Sequence, residues 1–217
     1  MYDVYVSLGT KNESGRGSKK SEQIRVVEAF CHPIFRMVDI VGMTHDVGVF
    51  KLEKPSKHQP ARLPATDGSD NKPGTMATVL GWGMVNSDTS SQTLRVVDFG
   101  IITNEKCDET YNDATVVDDS VMCAGDGNGK DSCDGDSGGP LIANGTVVGI
   151  VSSGAVNCGE LPGTYARVSY ASDFIDEILN GGSVGNVTEV LTAGESIFDM
   201  FESGSLDTSQ IQRQTSS

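Results

Sequence analysis

Asp131-Ser132-Cys133-Asp134-Gly135-Asp136-Ser137-Gly138-Gly139-Pro140 sets a serine among small residues, in a loop whose glycines let backbone N–H groups turn outward. Acyl transfer needs that combination: a nucleophilic oxygen beside donors that can hold the charge developing on the attacked carbonyl. The plainer reading is a Gly-rich β-turn loop. Working outward, short strand-like runs lie at 121–124, 140–142, 146–152 and 164–168, and further upstream at 77–84 and 93–102. Short strands at turn-bounded intervals point to a barrel or sandwich. Residues 170–179 carry Phe174, Ile175, Ile178 and Leu179 at helical spacing, with Ser172 as the expected N-cap and Asn180-Gly-Gly as a stop.

The chain of 217 residues contains 26 Gly, and 37% of it is hydrophobic, enough for a core. With little helix-period pattern, this composition predicts an all-β body. Lys and Arg number 16 against 30 Asp and Glu, a net charge of −14. A surface this acidic repels polyphosphate and anionic lipid, which argues against nucleic-acid and membrane-surface partners. No run approaches the roughly 20 apolar residues of a membrane helix. The first residues, Met1-Tyr-Asp-Val-Tyr-Val-Ser, do not read as a signal peptide. Five cysteines and three glycosylation sequons, at Asn12-Glu-Ser, Asn144-Gly-Thr and Asn186-Val-Thr, nevertheless suit a secreted chain.

Residues 1–54 read as extended: Val4, Val6 and Leu8 alternate with polar residues, Ile24-Arg-Val-Val resumes after a Gly/Ser/Lys-rich loop, and Val47-Gly-Val-Phe-Lys-Leu follows His45-Asp46. Residues 55–75 hold Pro55, Pro60, Pro64 and Pro73 and read as an interdomain linker, because proline cannot donate to a sheet ladder. A second unit spans 76–168, its closing helix 169–180, and a tail rich in Gly, Ser, Thr and acids, 181–217, is expected to be disordered apart from one amphipathic stretch at 187–201.

The nucleophile loop resembles that of the trypsin/chymotrypsin serine proteases, and other landmarks of that family follow in order over residues 2–180. His45-Asp-Val-Gly-Val-Phe-Lys-Leu is similar to the segment bearing the catalytic Asp, Gly81-Trp-Gly to the first strand of the second barrel, and Pro162-Gly-Thr-Tyr165 to a wall of the specificity pocket. The resemblance implies two β-barrels and a C-terminal helix, the first barrel incomplete at its N-terminus. It implies Ser137 as nucleophile, Asp46 as the residue orienting a catalytic His, and the N–H groups of Gly135 and Ser137 as the oxyanion hole. It places Asp131 at the base of a pocket selecting Lys or Arg, with Gly154 and Gly163 as walls and Ser152 beside the substrate backbone. It pairs Cys107 with Cys123 and Cys133 with Cys158, leaving Cys31 over. No cofactor follows from it, and the expected state is a monomer. The Asp126 loop is no metal site on this reading, since Lys130 and Ser137 stand where a calcium loop needs acceptors.

The family's general-base His, carried on a Thr-Ala-Ala-His-Cys-like segment, has no counterpart in this sequence. His32 matches a non-catalytic His-Pro turn, His58 lies in the linker, and His45 adjoins Asp46, so that in extended chain the two side chains face opposite ways. Nor is there an Ile-Val-Gly-Gly-like terminus, whose α-amino group would pair with Asp136; without it Asp136 is not expected to hold the loop in its active shape. Ser153 stands where the family has a Trp wall. The implied activity is that of a secreted endopeptidase cleaving after Lys or Arg in its complete form, this chain being inactive as it stands. Val4-Tyr-Val-Ser-Leu-Gly-Thr, Glu22-Gln-Ile-Arg-Val-Val and Leu52-Glu-Lys-Pro-Ser-Lys also resemble the secreted glucanase inhibitor proteins of plant pathogens, protease homologues that have lost triad residues. The implied alternative is a non-catalytic homologue that binds and inhibits a secreted glucanase, a pattern from which the retained Ser137 departs.

Overall fold

Period-two alternation of apolar residues buries one face of each strand, and the element order follows from it. The structure, a computed structural model, describes residues 3–38, 42–86, 88–112 and 116–194. The first half has β1 (Tyr5–Leu8), β2 (Glu22–Cys31), β3 (Arg36–Met37), β4 (Met43–Thr44) and β5 (Gly48–Leu52). β1, β2 and β5 form an open antiparallel sheet in that order, with Val6 opposite Ile24 and Phe30 opposite Val49. The described residues thus hold three strands of the expected first barrel, unclosed.

The linker region carries one short 3-10 turn, Ser69–Asn71, and a single bridge from Arg62 to Thr146. Beyond it come β6 (Met76–Gly81), β7 (Met84–Asn86), β8 (Thr89–Ser90), β9 (Arg95–Ile102), α1 (Asn104–Tyr111), β10 (Val121–Ala124), β11 (Pro140–Ala143), β12 (Thr146–Ser153), β13 (Gly163–Arg167), α2 (Ser172–Leu179) and α3 (Thr188–Ala193). Six of these strands close a barrel in the order β10-β13-β12-β11-β6-β9, the ring completed where Cys123 pairs with Ile102. Inward residues Val79, Phe99, Met122, Leu141, Val148 and Tyr165 fill it. Gly149 packs tightly between strands: a Cβ there would stand 3.1 Å from Tyr165 Cβ and 3.2 Å from Leu141 Cδ2, so these neighbours would have to give.

Three local readings differ from expectation. The run read as one strand over 77–84 breaks after Gly81 into β6 and the separate hairpin strand β7. The sequence reading missed α1, whose signal was Thr103: its hydroxyl accepts a hydrogen bond from Lys106 N and so caps the helix. Ser172 is the first residue of α2 and not its cap; its Oγ donates to Ser169 O at 2.7 Å.

The tail departs most. Residues 183–194 are ordered and lie along β2: Cys31 N donates to Gly185 O, Val187 N to Ala29 O, both at 2.8 Å, and Ala29 N to the Thr188 hydroxyl at 2.9 Å. Val187 is buried. A low-complexity composition did not prevent order, because a free stretch of β2 offers backbone partners that composition cannot reveal. The remainder of the tail, 195–217, including most of the amphipathic stretch read at 187–201, lies outside the described residues.

Phe30 and Val47 of the first half pack with Ala166, Ala171, Phe174 and Ile178 of the second. Beside this seam the rings of His32 and His45 lie 5.1 Å apart, His32 also 4.9 Å from Phe174 and His45 5.4 Å from Tyr170. His32 Nδ1 and both His45 nitrogens are buried without a hydrogen-bond partner among the described residues. Burial, with a smaller contribution from His45, therefore pushes the His32 imidazole down to about 4. The unfolded chain takes up this proton below about pH 6.5 while the folded chain refuses it until about 4, so stability is lost as pH falls across that window. His32→Phe should flatten the pH 4–6.5 limb of a urea-denaturation stability profile, by at most about 1.4 kcal/mol per pH unit; an unchanged limb refutes the assignment.

Candidate active site

The loop between β10 and β11 is built around Asp136. Its Oδ1 accepts from Gly83 N at 2.7 Å and its Oδ2 from Cys133 N at 3.0 Å, while Asp136 N donates to Cys133 O and Gly139 N to Asp136 O. The expected dependence on an α-amino partner therefore finds two backbone amides taking the carboxylate instead. Gly81 and Gly83 make room for it, since a Cβ at either would stand within 2.4 Å of an Asp136 oxygen. Gly135 has φ +92°, a conformation glycine adopts without strain. Gly138 N is taken by Val151 O, but the N–H groups of Gly135 and Ser137 donate to no acceptor among the described residues. Ser137 itself is exposed.

Ser137 lies on a cleft of about 380 Å³ together with Asp131, Ser152, Ser153 and Gly154. Asp131 Oδ1 accepts from Ser132 N at 2.8 Å and Oδ2 from Gly159 N at 3.1 Å. Burial raises its pKa above the ordinary carboxylate value, and these two amides pull it partly back. A Cβ at Gly163 would stand 2.7 Å from Asp131 Oδ1, so this glycine keeps the space beside the carboxylate open, whereas one at Gly154 would only touch Oδ2 at 4.0 Å. The Cys133–Cys158 disulfide, Cα–Cα 5.6 Å, joins the two sides of the cleft. Cys107–Cys123 ties α1 to β10, Cα–Cα 6.1 Å.

Asp46 does not line this cleft; it reaches it through Ser152, whose Oγ donates to Asp46 Oδ2 at 2.7 Å. Burial lifts the Asp46 pKa, and the Ser152 hydroxyl opposes that. His45 has φ +56°, its backbone N–H donates to Ser120 Oγ, and its ring lies against those of His32 and Tyr170. His58 bonds Lys20 O through Nε2 at 3.0 Å. None of the three histidines lines the Ser137 cleft. Cys31 is free, and burial pushes its thiol up to about 12, leaving it a poor nucleophile at neutral pH.

Met43 and Asp134, which the sequence reading did not single out, also line the cleft. Asp134 was visible as a second acid in the loop. Met43, some ninety residues away in the chain, carried no signal. Ser132 Oγ meets the buried Tyr165 OH at 3.3 Å beneath Asp131. The Asp126 segment is a local turn, Asp126 Oδ1 accepting from Asn128 N, and no three metal-ligating side chains gather among the described residues.

Residues 1–175 match the Trypsin family profile. Glucanase inhibitor protein 3 of Phytophthora infestans is 40% identical over 187 residues, covering 82% of this chain and 69% of that protein. Human kallikrein-8 is 34% identical over 190 residues, covering 83% of this chain and 69% of its own length. Among solved structures, neuropsin, a serine protease expressed in the limbic system of mouse brain, superposes with TM-score 0.72 at 28% identity, covering 82% of this chain and 80% of that one. The matched profile and the barrel that carries the Ser137 loop agree: this chain belongs to the trypsin family of serine proteases and is similar within it to glucanase inhibitor proteins.

Proposed function

We propose that this chain carries the nucleophile, oxyanion donors and specificity pocket of a secreted serine endopeptidase that cleaves after Lys or Arg. The observation that carries the reading is Asp131, a half-buried acid that forms no ion pair among the described residues, on the same cleft as exposed Ser137. A substrate ammonium or guanidinium entering the cleft would neutralise a carboxylate that burial disfavours as a charge. The attacked carbonyl oxygen would then take the free N–H groups of Gly135 and Ser137. Ser137 Oγ would bond to the carbonyl carbon, and its proton would pass to a histidine held against Asp46. That histidine is not His32, His45 or His58, so this reading assigns it to the complete form of the protein. The two disulfides support passage through an oxidising compartment.

A second reading rests on the relatives: a non-catalytic homologue that binds and inhibits a glucanase, as the names of the Phytophthora proteins say of them. The two differ in their need for Ser137. In a form containing the histidine, Ser137→Ala should lower hydrolysis of Arg or Lys esters by about 10⁶, as in an analogous triad, whereas inhibition of a glucanase would survive that change. Retained hydrolysis removes Ser137 from the nucleophile role.

The pocket can be tested without a base. Benzamidine, an arginine-like cation, should bind the chain as it stands, and Asp131→Asn should weaken it by about 2–5 kcal/mol, at least about 30-fold. Affinity should rise with pH through the raised Asp131 pKa, as the carboxylate ionises. Equal binding by the variant in calorimetry refutes the pocket assignment.

A further inference from the structure

The three sequons differ in what the fold does with the asparagine amide. Asn12 folds back into its own loop: Nδ2 donates to Arg16 O at 2.9 Å, and the space over Gly17 is closed, a Cβ there standing 2.4 Å from that same Nδ2. Asn144 sits exposed at the β11–β12 hairpin tip with φ +50°, followed by Gly145 at φ +76°. Its amide makes no hydrogen bond among the described residues. Asn186 is exposed where the tail meets β2; its Oδ1 accepts from Thr188 N at 3.0 Å and its Nδ2 is free among the described residues.

The hydroxyls of the latter two sequons are locked by distant partners. Thr146 is fully buried and its Oγ1 accepts from Arg62 Nη2 at 2.7 Å. Thr188 Oγ1 accepts from Ala29 N at 2.9 Å. A transferase that must read Asn and Thr together in an extended chain can do so only before those contacts close. Once they close, the fold leaves both asparagine amides pointing to solvent and clear of the cleft, since neither residue lines it. At Asn12 the amide contact to Arg16 O spans only four residues and closes ahead of the distant ones, so this nitrogen is engaged before a transferase reads it.

We propose that Asn144 and Asn186 are N-glycan acceptors and that Asn12 is not occupied in the folded protein. The donor is an oligosaccharide linked to a polyisoprenoid diphosphate: the bond from asparagine Nδ2 to sugar C1 forms, the bond from C1 to the diphosphate oxygen breaks, one amide proton is lost, and the diphosphate leaves. A glycan at Asn186 covers the contact between the tail and β2, and one at Asn144 covers the far end of the hairpin whose first strand leaves the cleft. The assignment rests on the secretory passage proposed above.

The full chain is sent into the secretory lumen of a eukaryotic cell by a borrowed leader, and the folded product, with both disulfides formed, is treated with an amidase that releases N-glycans in ¹⁸O-water. Peptide mapping should find heavy-oxygen aspartate at 144 and 186 and unlabelled Asn12. The heavy label excludes deamidation that precedes the treatment, and a parallel ¹⁸O-water incubation without the amidase subtracts deamidation of Asn144-Gly145 during it. Asn144→Gln and Asn186→Gln should each remove one glycan from the intact mass, and the pair should remove both. Unlabelled Asn144 or Asn186 in that product, or label at Asn12, overturns the assignment. Because the leader forces entry, this outcome is distinct from failure of the secretory reading, which the native protein would report by remaining inside its own cells.

Discussion

Asp136 is the contact on which the geometry of the loop depends. One carboxylate oxygen holds Gly83 N, beyond the end of β6, and the other holds Cys133 N, inside the loop itself. The first contact ties the loop to the barrel and the second closes the loop on itself, and the residues on either side of Asp136 are left exposed. Charge-assisted hydrogen bonds of this kind are roughly twice as strong as neutral ones. They also explain the glycines on the facing segment: any side chain at 81 or 83 would occupy the volume of the carboxylate.

Two further acids, Asp46 and Asp131, are half-buried with raised pKa values, and in both the lifting cause is desolvation. Their partners are polar and uncharged: the Ser152 hydroxyl for Asp46, two backbone amides for Asp131. Groups perturbed this way on or beside one cleft mark a functional site more often than a structural one. The arrangement is costly for the empty molecule and favourable for a cation, which is the physical basis of the proposed preference for basic side chains.

The two halves of the chain meet through apolar packing of Phe30 and Val47 on α2, and through the tail, which returns from the second half to hydrogen-bond β2. A seam that buries imidazole nitrogens of His32 and His45 without hydrogen-bond partners among the described residues is tolerant of neutral pH and intolerant of acid. Both features follow from which strand edges and faces remain open, and neither is written in a local pattern.

Much of the fold and part of the site were legible in the sequence. The strands of the second barrel follow from period-two alternation and turn residues, α2 from helical spacing, and the family from the Ser137 loop taken with the segments around Asp46, Gly81 and Pro162. The sequence alone determined residue chemistry and local periodicity, because these act over a few neighbouring positions. Tertiary structure decided the rest: that Asp136 is held by Gly83, that Ser152 holds Asp46 across 106 positions of chain, that Met43 joins the cleft, and that residues 183–194 are ordered. Each of these depends on groups far apart in sequence finding hydrogen-bond partners or space in one another's surfaces, and chain folding alone supplies that meeting.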